Sequence, residues 1–359
     1  MGEITIKKQE RESGIEMFRC VLMYMIIFLH MLIHGVNGEI ASFRSGQVYE
    51  TTLFESCFSI LCMVSVNCYV MISGYFGIKP NKTKLIKTYV PVLFYSFFIA
   101  LIFFVCKKIS VRDLILSCMP IVRVSYWFAT CYIFLCFISP ALNYIAEKFY
   151  KTKRFYFVIF IFLVITWLPK ICIQLKTVLG LNSLGFSQII ISYLIGRCIW
   201  HFENTQVKTQ FVEKIFNQKK IIDFALFLAF SMITFLMTTV LYTVTKKNYW
   251  FPLSLYASPL TVAASVFLFQ CFKKIKIGSV KFVNCLGAST FGMYLIHENP
   301  FMRPVIYSFF HAYDFKFSKI LIPYVMISSL IIFIMGGGID ILRKKLFLEV
   351  EKICRRLSK

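Results

Sequence analysis

The run Ile15–Ile33, IEMFRCVLMYMIIFLHMLI, decides the class of this protein. It is apolar apart from Glu16 at its edge, Arg19 and His30, and its nineteen residues are about what an α-helix needs to cross hydrocarbon. Ionisable groups in a membrane-spanning helix are costly, so they imply function by default. Arg19 and His30 stand eleven residues apart, which returns them to nearly one helix face, roughly 16 Å apart along the axis. A cation near one end and a titratable imidazole deeper in suit a site that holds an anionic cofactor at one membrane face and acts on its far end within the bilayer.

Composition extends this reading to the whole chain. With 58% hydrophobic residues, 40 Phe among 359 residues and a mean hydropathy of +0.72, the protein is too apolar for an ordinary soluble domain. Runs able to cross a bilayer, or nearly so, lie at residues 15–33, 56–77, 86–105, 125–146, 155–173, 184–200, 221–243, 252–272, 286–310 and 320–341. They predict an all-α fold, a single transmembrane domain over 1–359 whose helix bundle, a polytopic membrane bundle of about ten transmembrane helices, spans 15–341. The sixth run is the weakest, broken by Gly185, Gln188 and Gly196. Residues 112–122 read as an interfacial helix, and 342–359 as a basic amphipathic cytoplasmic tail on the inner membrane surface.

Most of the 40 Lys and Arg fall in segments on the side of the N-terminus, among them Lys79, Lys82, Lys84 and Lys87, Lys151, Lys153 and Arg154, and Arg343, Lys344 and Lys345. The positive-inside rule then places both termini in the cytoplasm. The same asymmetry accounts for the +23 net charge without nucleic acid as a partner. A basic inner surface favours anionic membrane lipid and would equally attract a phosphorylated cofactor. The first helix reads as retained rather than as a cleaved signal peptide, since no small-x-small site follows it. The thirteen cysteines show no C-x-x-C pair and read as small hydrophobes packed in helices, so neither disulfides nor a metal site is expected. His30 and His34 share a face without an evident third ligand. No soluble domain and no repeat at fixed period is visible, which places function inside the helix bundle.

Several segments follow a known pattern. Arg11-Glu-Ser-Gly-Ile-Glu16-Met-Phe-Arg19, ten residues and then His30 resemble the opening of the acyltransferase 3 family of integral membrane acyltransferases. Val70-Met-Ile-Ser-Gly-Tyr75-Phe76 is similar to its apolar run closing in Ser-Gly-Tyr. Lys84-Leu-Ile-Lys87-Thr-Tyr-Val-Pro91 resembles its Arg-x-x-Arg segment, with lysines in place of both arginines. Tyr126-Trp127-Phe128 through Pro140 and Tyr294-Leu-Ile-His297 resemble its Trp-Phe helix and late Tyr-Leu-x-His motif. Each match alone is weak; five in the right order along the chain are specific.

The resemblance implies transfer of an acyl group, usually acetyl, from cytoplasmic acetyl-CoA to a hydroxyl of a cell-surface or lipid-linked polysaccharide. It carries with it a place in the cell membrane, expected to be the bacterial cytoplasmic membrane. Few residues follow the last helix, so the esterase-like domain of some relatives is not expected. Arg19, Lys84 and Lys87 would hold the phosphates of CoA, although an ammonium cannot fork onto a phosphate as a guanidinium does. His30 would be the general base, an acetyl-imidazole intermediate being the alternative. Glu16, Tyr75, Trp127, Tyr294 and His297 are the candidate substrate-binding residues, with Glu16 placed to orient Arg19 by an ion pair.

Residue chemistry alone leaves blander readings open. Lys84 and Lys87 equally suit topology signals, Trp127 an interfacial aromatic belt, and Tyr294 and His297 cross-helix hydrogen bonds. Pro300 and Pro304 are expected to distort the chain too much for Glu298 and Arg303 to pair. A transporter or flippase of a lipid-linked sugar is the competing class, and it predicts no thioester cleavage.

Overall fold

The computed structural model describes residues 12–36, 50–171, 185–204, 217–245 and 256–357. No strand occurs among them. The helices are α1 (Gly14–His30, continued by a π-helical stretch Met31–Val36), α2 (Glu50–Cys62), α3 (Ser65–Phe76), α4 (Lys82–Val105), α5 (Val111–Leu116), α6 (Trp127–Phe149) and α7 (Lys153–Ile171). They continue with α8 (Gly185–Asn204), α9 (Lys220–Thr245), α10 (Pro259–Lys273), α11 (Lys281–His297), α12 (Met302–Phe309) and α13 (Leu321–Leu357).

The solvent of this bundle is legible in α9. Leu228, Met232, Leu236 and Val240, each four residues from the last, are exposed, while Ser231, Thr234 and Thr238 on the opposite face are buried. That pattern is the reverse of a soluble amphipathic helix, whose apolar stripe faces the core. Apolar side chains outward and hydroxyls inward are the arrangement that hydrocarbon requires. Thr234 and Thr238 donate to the carbonyls of Phe230 and Phe235 of their own helix, which satisfies these two buried hydroxyls.

Six helical segments among the described residues are long and apolar enough to cross a membrane: Gly14–Val36, Thr52–Phe76, Leu85–Val105, Trp127–Phe149, Lys220–Val244 and Leu321–Ile353. The other four expected runs coincide with α7, α8, α10 and α11. The 286–310 run is not one helix: α11 ends at His297, and α12 restarts at Met302, with Asn299 and Pro300 at the break because proline lacks the N–H that would continue the ladder. Residues 342–357, the expected basic tail, are helical and continue α13 without interruption over 37 residues, a length of about 55 Å. The basic N-terminal residues before Glu12 and residues 37–49 and 205–216 lie outside the described residues.

α1 sits inside the bundle against α3, α11 and α13. Its first turn, whose backbone N–H groups have no intrahelical partners, is anchored to the start of α11. The Ser13 N–H donates to the Gly278 carbonyl at 2.8 Å, and the Ser13 hydroxyl donates to Asn284 at 2.8 Å while accepting from the Val280 N–H at 2.7 Å. α3 and α8 approach through glycines. A methyl group at Gly74 would lie 2.2 Å from the Tyr193 carbonyl oxygen, and one at Gly196 would lie 2.3 Å from that of Met71. Backbone contact of this kind is how membrane helices gain packing without hydrophobic drive.

Candidate active site

α1 turns one stripe, Arg19, Met23, Ile26, His30 and Ile33, toward a cavity of about 520 Å³. Steps of three and four residues keep these side chains in one row. Gly287, Thr290, Phe291 and Tyr294 of α11 form the facing row, and Tyr69 and Ser73 of α3, Lys87 of α4, Trp127, Phe128 and Tyr132 of α6 and Tyr256 close the walls. Four residues singled out from the sequence, Arg19, Lys87, Trp127 and Tyr294, thus share one chamber with His30. Its lining is mostly apolar, with polar groups at intervals, the usual make-up of a small-molecule site.

At one end, the Arg19 guanidinium pairs with the buried Glu16 carboxylate at 2.9 Å. Gly287 leaves room for that carboxylate, since a methyl group there would lie 2.6 Å from Glu16 Oε2. The Tyr69 hydroxyl donates to the Arg19 carbonyl at 2.6 Å. Arg19 is therefore held by its side chain and its backbone while still lining the cavity. The Lys84 side chain lies outside the described residues.

At the other end, His30 Nδ1 stands 3.2 Å from His297 Nε2 and 3.1 Å from Glu298 Oε1. Hydrogen-bond logic assigns the protons. His297 Nδ1 lies 2.8 Å from the Met293 carbonyl, which can only accept, so this nitrogen carries hydrogen and His297 Nε2 in the neutral ring is a bare lone pair. His30 Nδ1 then faces two acceptors and carries hydrogen itself. Nε2 is left as the basic nitrogen of a side chain that lines the cavity. The π-helical stretch begins at the next residue, Met31, and such wider turns inside helices recur at functional sites.

Glu298 was missed as a site residue, and the expectation that Pro300 and Pro304 keep it from Arg303 is wrong. The two pair at 3.5 Å, and Glu298 also lies 3.9 Å from His34 Nε2. α11 ends at His297, and Glu298 faces back onto α1; the prolines do not prevent its pairing with Arg303. The sequence signal was its position directly after His297. His30, His297 and Glu298 also bring three potential ligand atoms within 4.8 Å of one another, a grouping that the spacing of His30 and His34 does not reveal.

The Tyr294 hydroxyl accepts from the Phe128 N–H at 3.3 Å, so its own O–H is free of that bond and can donate. Tyr75 does not line the cavity: its hydroxyl donates to Glu203 at 2.8 Å, and Lys273, ion-paired to the same carboxylate, lies over its ring.

Chemically, this is a helical membrane protein with a cation at one end of an apolar chamber and an oriented imidazole at the other. The acyltransferase 3 family model, described as an acyltransferase domain, matches residues 12–343, nearly the whole chain, and the protein belongs to that family of membrane acyltransferases. No curated protein and no solved structure gives a significant match.

Proposed function

We propose that the protein transfers an acetyl group from cytoplasmic acetyl-CoA to a hydroxyl of a cell-surface or lipid-linked polysaccharide. The observation that carries this reading is the cavity that has Arg19 and Lys87 along its wall and His30 and Tyr294 beside its oriented His–Glu cluster. Arg19 and Lys87 meet the phosphates of CoA through charge-assisted hydrogen bonds. The linear pantetheine arm lies along the apolar stripe of α1, which brings the thioester toward His30.

His30 Nε2 takes the proton of the acceptor hydroxyl as its oxygen attacks the thioester carbon. The C–O bond forms, the C–S bond breaks, and the departing thiolate recovers the proton from His30. Glu298 stabilises the imidazolium formed between those two transfers. The Tyr294 O–H donates to the carbonyl oxygen as it gains negative charge, the role of an oxyanion donor. His297 holds His30 in the tautomer that leaves Nε2 basic.

The test is thioester chemistry in purified protein. The wild type should cleave acetyl-CoA slowly and bind it, and Arg19→Gln should weaken binding about 10- to 100-fold, the worth of a hydrogen bond to a charged group at about 1.5–3 kcal/mol. Binding unchanged in Arg19→Gln, in protein shown to be correctly inserted, would remove the donor from this cavity. Transport of a sugar with no thioester cleavage would favour the competing class.

A further inference from the structure

Beyond the His30–Glu298 layer lies a second cavity of about 550 Å³, lined by His34, Gly35, Arg303, Pro304, Tyr307, Ser308, His311, Tyr313 and Asp314. We propose that it is the acceptor site and holds an uncharged sugar ring of the glycan. This inference rests on the acetyl-transfer reading and adds to it the place and chemistry of the second substrate.

Position is the first argument. His34 follows His30 by one helical turn on α1, so it lies on the side of His30 away from Arg19. His30 lines the donor cavity and His34 lines the second one. Glu298 touches both, 3.1 Å from His30 and 3.9 Å from His34. A ring seated in the second cavity lies one helical turn from His30, and its reacting hydroxyl would extend past that layer to meet Nε2 and the thioester in the donor chamber. Two substrates that approach from opposite membrane faces require such an arrangement.

The lining is the second argument. The donor cavity is mostly apolar, whereas this one mixes tyrosine rings with donors and acceptors: Arg303, His34 and His311 against Asp314 and the nearby Glu298. Its opposite charges largely cancel, which suits a neutral polyhydroxylated ring better than an anion. Aromatic faces meet the C–H side of such a ring, and polar tips meet its hydroxyls. The volume falls within the range of about 300–1,000 Å³ typical of small-molecule sites.

An unsatisfied group is the third argument. Tyr307 lines this cavity, is 1% exposed, and its hydroxyl has no hydrogen-bond partner among the described residues. A buried hydroxyl without a partner is costly. A small side-chain movement that presents it to a sugar hydroxyl would relieve that cost. His311 at the rim has a left-handed backbone, φ 48°, which is uncommon outside glycine, asparagine and aspartate.

The test compares two readouts for each variant: alkali-released acetate from surface polysaccharide of cells lacking the chromosomal gene and expressing the variant, and acetyl-CoA hydrolysis by the same protein purified in detergent. Ser308→Trp, which fills the cavity, should lower the ratio of glycan acetate to hydrolysis at least tenfold. Tyr313→Ala, at an exposed side chain with little bearing on folding, and Tyr307→Phe should lower it several-fold. Phe309→Trp, on an exposed position that does not line the cavity, should leave the ratio at the wild-type value. A wild-type ratio in both Ser308→Trp and Tyr313→Ala would overturn the acceptor assignment while leaving the donor site standing. Wild-type protein that hydrolyses acetyl-CoA but adds no acetate to the glycan would overturn the sugar as occupant. Wild-type protein that does neither would overturn the acetyl-transfer reading and this site with it.

Discussion

Glu298 shares one carboxylate among His30, His34 and Arg303, and its contribution can be separated from that of His30 by the kind of loss each substitution causes. His30→Ala removes the base, a change typically worth about 10²–10⁴ in rate, and should abolish glycan acetylation in protein that still inserts and binds acetyl-CoA. Glu298→Gln keeps the shape and an acceptor for Nδ1–H but removes the charge that stabilises the imidazolium. A loss of about 10- to 100-fold in kcat is expected, with the KM for acetyl-CoA unchanged; a KM effect alone would make Glu298 a donor-binding group. Tyr294→Phe deletes one oxyanion donor, for which about 10²–10³ in kcat is the usual loss, and near-normal turnover would leave Tyr294 with only its bond to the Phe128 N–H. Much of this chamber was legible in the sequence, because Arg19, His30, Lys87, Trp127 and Tyr294 are residue types that an apolar helix does not carry without cause or that recur in the motifs. Glu298 was not, since Pro300 and Pro304 read as disruption. Whether a helix break turns a side chain away from a site or onto it depends on the packing partner, here α1, which linear spacing does not contain.

α13 crosses the bundle with a carboxylate inside it. Asp340 is fully buried and accepts from the Tyr95 hydroxyl at 2.9 Å, pairs with Arg343 at 2.9 Å and lies 3.0 Å from Lys344 Nζ. The Lys344 ammonium also donates to the Ala288 carbonyl at 2.6 Å and the Ser289 hydroxyl at 3.0 Å. One acid thus ties α13 to α4 and to α11, the helix that carries Tyr294 and His297. Gly292 makes this possible, because a methyl group there would fall 2.0 Å from Asp340 Oδ1. Asp340→Ala leaves the Arg343 guanidinium buried without its partner, and breaking a buried pair in this way costs about 3–5 kcal/mol. The variant should unfold at a clearly lower temperature in detergent, with Asp340→Asn between it and the wild type; an unchanged midpoint would show that water reaches Arg343. Helix positions in the sequence followed hydropathy, but the continuity of α13 past residue 341 did not. Arg343, Lys344 and Lys345 read as the start of a surface segment because their charges look foreign to a bundle. They continue α13 because Asp340 lies three and four residues before the first two, on the same helix face.

Sidedness decides whether the two cavities meet substrates from opposite compartments. Lys-rich segments gather at alternate ends of the expected helices, with Lys87 at the Arg19 end of the donor chamber and Arg44 in the segment that follows His34. The positive-inside rule predicts that the first end is cytoplasmic, the side from which the proposed CoA donor would enter, and that the second is outside. The expected count of about ten helices rests on ten apolar runs, whereas six segments among the described residues are long and apolar enough to cross unaided. α10 has 15 residues and α11 has 17, about 22 and 26 Å, short of a hydrocarbon core of about 30 Å. Hydropathy read these runs as spans because it registers apolar character and not where a helix starts or breaks. Reporter fusions after Lys87, Lys153 and Lys281 should all be cytoplasmic, and one near Arg44 should be outside. Lys281 is the informative position, since it begins the helix that carries Tyr294 and His297. If it is cytoplasmic, α11 runs in the same direction as α1, its Gly287 end lying with Arg19 and its His297 end with His30, as their contacts in the structure require. An exterior Lys281 beside a cytoplasmic Lys87 would set α11 antiparallel to α1, which cannot be squared with Gly287 against Glu16 and His297 against His30, and would overturn the helix count together with the opposite-face arrangement of the two cavities.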